Sequence, residues 1–329
     1  MVNPKIVSRK IIPQKPIKLK RTLGLKDFYE KRNKILITRA VGGLGDILMH
    51  RMIFEDIKRI IPDCELHFAC PKIYHDAVKD HPFIDRLLAS DKVEPKDYIA
   101  HYNTTTACGQ VELHYAPNVA PNRCDIWSNH CGYQCQNYDM HITFTDEEKQ
   151  QAKDIINGKR DRTGPVFLLS PISAMNVKNL LPHQIMAIVQ EIQKLNSCVI
   201  GLHNNPIIVL EENNIPTINT SGKLRLWMAL INEADYVVSV DTSAFHCAGG
   251  LKKPVLGFFT FVNGDMYSKY YPTSEIVQGP CPLNYAGCYN CAICPTRVGP
   301  KPCITNVTVP IINDGIHRLL QRFPSKLTK

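Results

Sequence analysis

The chain has 329 residues, 44% of them apolar and 21% charged, the balance of a soluble globular protein with room for two domains, each able to bury its own core. No stretch is long and apolar enough to span a bilayer, and the N-terminus lacks the apolar core of a secretion signal, so the expected location is cytoplasmic. The net charge of +9 resides in residues 1–34, where eleven Lys or Arg stand against Asp27 and Glu30. The remaining chain is neutral, so any attraction to DNA or another polyanion belongs to this arm and not to the folded body. Pro4, Pro13 and Pro16 argue against a continuous helix there: the arm, residues 1–33, reads as extended along a partner, disordered, or merely solubilising.

The apolar run Lys34-Ile35-Leu36-Ile37-Thr38, then Arg39-Ala40-Val41-Gly42-Gly43-Leu44-Gly45-Asp46-Ile47-Leu48, reads as strand, glycine-rich loop and helix. It is not a dinucleotide fingerprint, because Leu48 stands where the third glycine should be. Asp46 at the helix start would also repel a pyrophosphate. It reads as a base, although Asp is equally a common helix cap. Ile47, Leu48, Met52, Ile53, Ile57 and Ile60 continue at helical spacing, and Glu65 to Cys70 forms the next strand of a β-α-β unit. Residues 101–141 show no clear period and are expected to be loops with short helices lining a cleft.

A second unit starts at the turn before Val166–Ser170. Strand and helix then alternate: helix 183–195, strand Cys198 to Leu202, a strand-like Thr217-Ile218, helix 223–233, strand Tyr236 to Val240, helix 243–250, strand Val255 to Phe259. The expected fold class is α/β, two doubly wound domains with ligands at the carboxyl ends of their strands. The boundaries expected are 34–160 and 161–310, with a helix or tail over 311–329.

Two strand ends in the second unit carry polar chemistry. Val240-Asp241-Thr242-Ser243-Ala244-Phe245-His246 runs from a buried strand into a helix whose first turn offers hydroxyls and unpaired amide donors, an anion site, with His246 one turn in. The competing reading makes Asp241 and Thr242 caps and His246 a core residue. Ser170 to Lys178 is an irregular segment in which Ser173 precedes Lys178, a mobile point charge suited to phosphate or else a solvated surface lysine.

Together, the Gly42-Gly43-Leu44-Gly45-Asp46 loop, the Lys178 segment, Asn122-Arg123-Cys124-Asp125, the cysteine-rich C-terminal segment and above all Val240 to Ala248 followed by Lys253-Pro254-Val255 resemble glycosyltransferase family 9, the heptosyltransferase-like enzymes. The resemblance covers about residues 34 to 310, and the wording from Gly43 to Arg51 resembles bacteriophage-encoded members. It implies a GT-B fold, two Rossmann-like domains facing across a cleft, with the acceptor in the first and the nucleotide sugar in the second. It further implies inverting transfer without a metal, from ADP-heptose or a related nucleotide-diphosphate sugar to a saccharide or lipopolysaccharide-like acceptor. Asp46 would then be the base, Gly43 and Gly45 the acceptor loop, and Ser173, Lys178, Asp241, Thr242, Ser243 and His246 the donor grip. Two positions depart from the pattern: Ser243 replaces a glycine, and Gly201-Leu202-His203-Asn204-Asn205 lacks a ribose-binding carboxylate. A sugar transferase acting on modified DNA bases, served by the basic arm, and a non-catalytic or virion-associated GT-B module are the alternatives.

Cys288, Cys291, Cys294 and Cys303, with Cys281 upstream, are spaced to offer four thiolates to a structural zinc, or else stay reduced and unliganded. Cys124, His130, Cys131 and Cys135 have no ligand spacing and read as core or cleft lining.

Overall fold

The structure, a computed structural model of the chain, describes residues 33–116, 118–281 and 302–325. The basic arm up to residue 32, and Cys288, Cys291 and Cys294, lie outside them. Two parallel sheets organise the rest, one of four strands in the order β3-β2-β1-β4 and one of six in the order β10-β9-β8-β5-β6-β7.

In the first sheet, β1 (Lys34–Thr38) pairs with β2 (Glu65–Cys70) on one side and β4 (Ala100–Asn103) on the other, and β3 (Arg86–Ala89) lies beyond β2. The four apolar or small residues Ile35 to Thr38 are buried, as expected of a parallel strand covered on both faces. Strands β3 and β4 escape sequence reading because Arg-Leu-Leu-Ala and Ala-His-Tyr-Asn carry little of that signal. Their place comes from pairing, Ile35 beside Ala100 and His67 beside Arg86.

The helix expected after the glycine loop is broken. Helix α1 (Leu44–His50) passes through a 3₁₀ turn, Arg51–Ile53, into α2 (Phe54–Ile60). Three residues at 3.0 rather than 3.6 per turn rotate the faces of α2 by roughly 60°. Ile57 stays in the core while Ile60, placed on the apolar face by its spacing, is half exposed. The break surrounds Arg51, which is fully buried and bonds Met140 O, Ala77 O, His141 O and both oxygens of Asp80.

The region 101–141 holds two short helices, α3 (Ala107–Tyr115) and α4 (Arg123–His130). Cys124, Cys131 and Cys135 are buried there and His130 is exposed. Helix α5 (Asp146–Lys159) comes next, started by a reciprocal Thr145–Glu148 capping box, and packs on the second unit.

In the second sheet, β5 (Val166–Ser170) lies beside β6 (Cys198–His203), and β7 (Thr217–Asn219) beyond it. On its other side β5 pairs with β8 (Tyr236–Val240), followed by β9 (Val255–Phe259) and β10 (Ser274–Gln278). The helices are α6 (Pro182–Lys194), α7 (Ile208–Glu212), α8 (Leu224–Glu233), α9 (Ser243–Gly250), α10 (Gly264–Ser268), α11 (Pro302–Thr305) and α12 (Val309–Arg322). Helix α8 receives α5, and α12 packs on α6 and β10.

Strand order reverses between β1 and β4 in the first sheet and between β5 and β8 in the second. Beyond the carboxyl ends of these pairs each sheet has a crevice where ligands bind in open α/β folds. The Gly42–Asp46 loop follows β1, the Lys178 segment follows β5, and Asp241 to His246 follows β8. Among the described residues, no helix is long and apolar enough to cross a membrane.

Candidate active site

The two crevices face one another across a cleft of ≈ 1360 Å³. Its wall includes every residue that the sequence singles out as base, acceptor loop or donor grip: Gly43, Gly45 and Asp46 from the first unit, Ser173, Lys178, Asp241, Thr242, Ser243 and His246 from the second. Of the cysteine cluster, Cys281 and Cys303 lie among the described residues, Cys303 buried at α11, and neither lines the cleft. Among the described residues no group of three or more His, Cys, Asp or Glu is arranged to hold a metal ion.

Asp46 does not cap its helix. Gly43 is the residue before α1, and both Asp46 oxygens are taken by arginines: Arg39 Nη2 donates to Oδ2 at 2.7 Å and Arg123 Nη1 to Oδ1 at 2.6 Å. Burial pushes the carboxyl pKa up, but Arg123 and then Arg39 outweigh it and hold Asp46 well below the usual carboxylate range. Arg39 is itself fixed by donating from Nη1 to the carbonyls of Thr104 and Thr105, just past β4.

The glycines divide unequally. Gly42 has φ +135°, and a Cβ there would come within 2.8 Å of Arg39 Nη2 and 2.9 Å of Asp46 Oδ2. Gly45 lies against the second unit, where its Cβ would meet His246 Cδ2 at 2.9 Å. Gly43, read with Gly45 as the acceptor loop, has open space around it. The glycine requirement therefore falls on Gly42, for backbone conformation, and Gly45, for contact between the units.

On the facing wall, Lys178 Nζ lies 2.7 Å from Asp241 Oδ2, with both side chains largely buried. The lysine is thus neither solvated nor waiting free for a phosphate. Thr242 stands before α9 in extended backbone and its side chain caps nothing, so the cap reading of Asp241 and Thr242 does not hold. The Ser173 hydroxyl closes its own turn, donating to Met175 O and lying 3.3 Å from Asn179 Oδ1. His246 is 4% exposed, with Nδ1 3.0 Å from the Tyr271 hydroxyl and Nε2 3.9 Å from Asp241 Oδ1. Burial depresses its pKa to about 4, so the ring is neutral near pH 7.

His50 and His81 are buried in the same way and depressed to about 3. From 6.5, the value of an ordinary histidine, down to about 4, the unfolded chain binds more protons at these three rings than the folded chain does. Stability should therefore fall as the pH is lowered through that window, each ring contributing up to roughly 1.4 kcal/mol per pH unit. Calorimetric melting across the window tests this, and an unchanged melting temperature would contradict the neutral burial of these rings.

Sequence reading assigns no role to Arg39, Glu112 or Arg123. Asn122 caps α4 by accepting from Cys124 N, and its amide donates to Met266 O and Tyr267 O of the second unit. That places Arg123 at the first helical position, where the helix dipole disfavours a cation and carboxylate partners must compensate. Its signal in the sequence is an arginine directly after a capping Asn. For Arg39 the signal is its place at the carboxyl end of β1.

No family model matches the chain. A protein of Escherichia coli (strain K12) named as a candidate lipopolysaccharide heptosyltransferase 4 is 25% identical over 189 residues, 56% of this chain and 46% of that protein. The match thus spans less than half of that relative. The structure of a glycosyl transferase family 9 protein from Veillonella parvula DSM 2008 aligns over 88% of this chain and 98% of its own, with a TM-score of 0.68 at 14% identity. That of E. coli ADP-heptose lps heptosyltransferase II aligns over 89% and 100%, with a TM-score of 0.65 at 13% identity. Two parallel α/β units facing across one cleft, in a chain that aligns with these proteins over nearly their whole length, give the GT-B fold, and in fold the chain resembles glycosyltransferase family 9, the heptosyltransferase-like enzymes.

Proposed function

We propose that the chain is an inverting, metal-independent glycosyltransferase that moves a sugar from ADP-heptose or a related nucleotide-diphosphate sugar to a hydroxyl of a saccharide, lipopolysaccharide-like acceptor. The observation that carries this reading is the opposition of Asp46, beyond β1, to Lys178, Thr242, Ser243 and His246, beyond β5 and β8, in a single cleft. Inverting displacement needs a base on one side of the anomeric carbon and charge neutralisation of the leaving diphosphate on the other.

The acceptor oxygen bonds to the anomeric carbon as the carbon–phosphate oxygen bond breaks. Its proton passes to Asp46, and the nucleoside diphosphate departs with the bonding pair. Lys178 moves from Asp241 to the departing phosphate. With the Tyr271 hydroxyl donating to Nδ1, neutral His246 carries its proton on Nε2 and donates that N–H to a phosphate oxygen. Asp46 need not be a strong base, because the acceptor oxygen becomes acidic only as it bonds to carbon.

Calorimetric titration of the full chain with ADP, UDP, GDP and CMP is the test, followed by transfer assays with sugars of whichever diphosphate binds. Selective binding of ADP followed by turnover of an ADP-sugar is expected. Absence of binding by all four would overturn the reading.

A further inference from the structure

Asp46 is one link in a four-residue chain of charges. Glu112, from α3, is buried and takes Arg123 with both carboxylate oxygens, Nε to Oε1 at 2.7 Å and Nη2 to Oε2 at 3.0 Å. This fork leaves Nη1 of the planar guanidinium directed at Asp46 Oδ1. On its other side the guanidinium carbon lies 5.2 Å from the ring centroid of Tyr267, which belongs to α10 of the second unit. Arg39 holds the remaining Asp46 oxygen. Two cations and two carboxylates make the chain neutral overall, as burial demands.

We propose that Arg123, clasped by Glu112, is a positioning residue for the transfer: it keeps Asp46 charged and aimed into the cleft, and so sustains activity into acid solution. The proposal rests on the transferase reading and adds to it how its base is held. A carboxylate oxygen that accepts one arginine N–H still has a lone pair for a hydroxyl, so the clamp orients Asp46 without occupying it fully. The groups around Asp46 are Arg39 at the end of β1, His50 on α1, Cys108 and Glu112 on α3, Arg123 on α4 and His246 on α9. Of these, Arg39 and Arg123 carry full positive charge near neutral pH. Removing Arg123 leaves a buried carboxylate with one ion-pair partner, and its proton affinity must rise.

The experiment is the pH profile of kcat/KM for the full chain and for Arg123→Met, Arg123→Lys and Glu112→Gln, with ADP affinity measured in parallel. The wild type should show no acid limb down to about pH 5, whereas Arg123→Met should lose roughly 10- to 100-fold in kcat and gain an acid limb at higher pH than the wild type's. Arg123→Lys should recover part of the rate and move the limb back. Glu112→Gln, which removes a negative neighbour and leaves Arg123 on Asp46, should not raise the limb, with ADP affinity within about threefold throughout. A rate loss in Arg123→Met with no movement of the limb would overturn the proposal. So would loss of ADP affinity with an unmoved limb, which would make Arg123 a donor ligand. Carbon-13 NMR titration of the Asp46 carboxyl decides the clamp independently of turnover. An Asp46 that titrates over the same range with and without Arg123 overturns the proposal, while absent turnover in the wild type overturns the transferase reading alone.

Discussion

Replacing Asp46 by Asn is expected to lower kcat by roughly 10²- to 10⁴-fold, the usual contribution of a positioned general base. Donor binding should survive and even tighten. Asp46 is the shared partner of Arg39 and Arg123, so neutralising it leaves two guanidiniums incompletely compensated beside a cleft that is to receive a diphosphate. Asn keeps the side-chain shape and one acceptor oxygen, so one arginine keeps its partner while the other faces an amide N–H. Steady-state kinetics with calorimetric ADP binding on the same preparation separate the two effects. Turnover retained within about tenfold of wild type would remove Asp46 from the base role.

Lys178→Ala is expected to weaken ADP binding by roughly 10- to 100-fold, the worth of a charge-assisted hydrogen bond of about 1.5–3 kcal/mol. The geometry makes this variant worse than a simple loss of charge. Lys178 rests on Asp241, and its removal leaves that carboxylate facing the diphosphate site without its ammonium partner. Asp241→Asn in the Lys178→Ala background should therefore recover part of the lost affinity, a coupling that two independent sites would not show. Unchanged ADP affinity in the single variant would take Lys178 out of the phosphate site. A double variant no better than the single would deny Asp241 the repulsive part.

Much of the second unit's side of the cleft is legible in the sequence. Val240 to His246 announces a buried strand ending in a polar helix start because strand and helix periods are local and Asp-Thr-Ser interrupts an apolar run. The expected strands at 65–70, 166–170, 236–240 and 255–259 coincide with β2, β5, β8 and β9 for the same reason. The short helices expected to line a cleft in 101–141 are present as α3 and α4, which contribute Glu112 and Arg123 to the wall. Strands β3 and β4 are not legible, since they are short and poor in continuous apolar sequence. Nor is the 3₁₀ break after His50, which depends on where the buried Arg51 finds its acceptors.

The alternation of strands and helices, the glycine loop ending on Asp46 and the order of the motifs that resemble family 9 are all written in the local sequence. These depend on neighbours a few residues apart, where periodicity, turn chemistry and backbone freedom operate. The partners of Asp46 are instead set by the folded chain. These arginines lie 7 and 77 residues away along the sequence, and Arg123 in turn is held by Glu112, 11 residues before it. The tertiary structure likewise decided that Lys178 rests on Asp241, and that Gly45 must be small because His246 of the other unit lies against it. Ion pairs in a buried cleft are chosen by where the folded backbone delivers charge and removes water, and no local pattern records that choice.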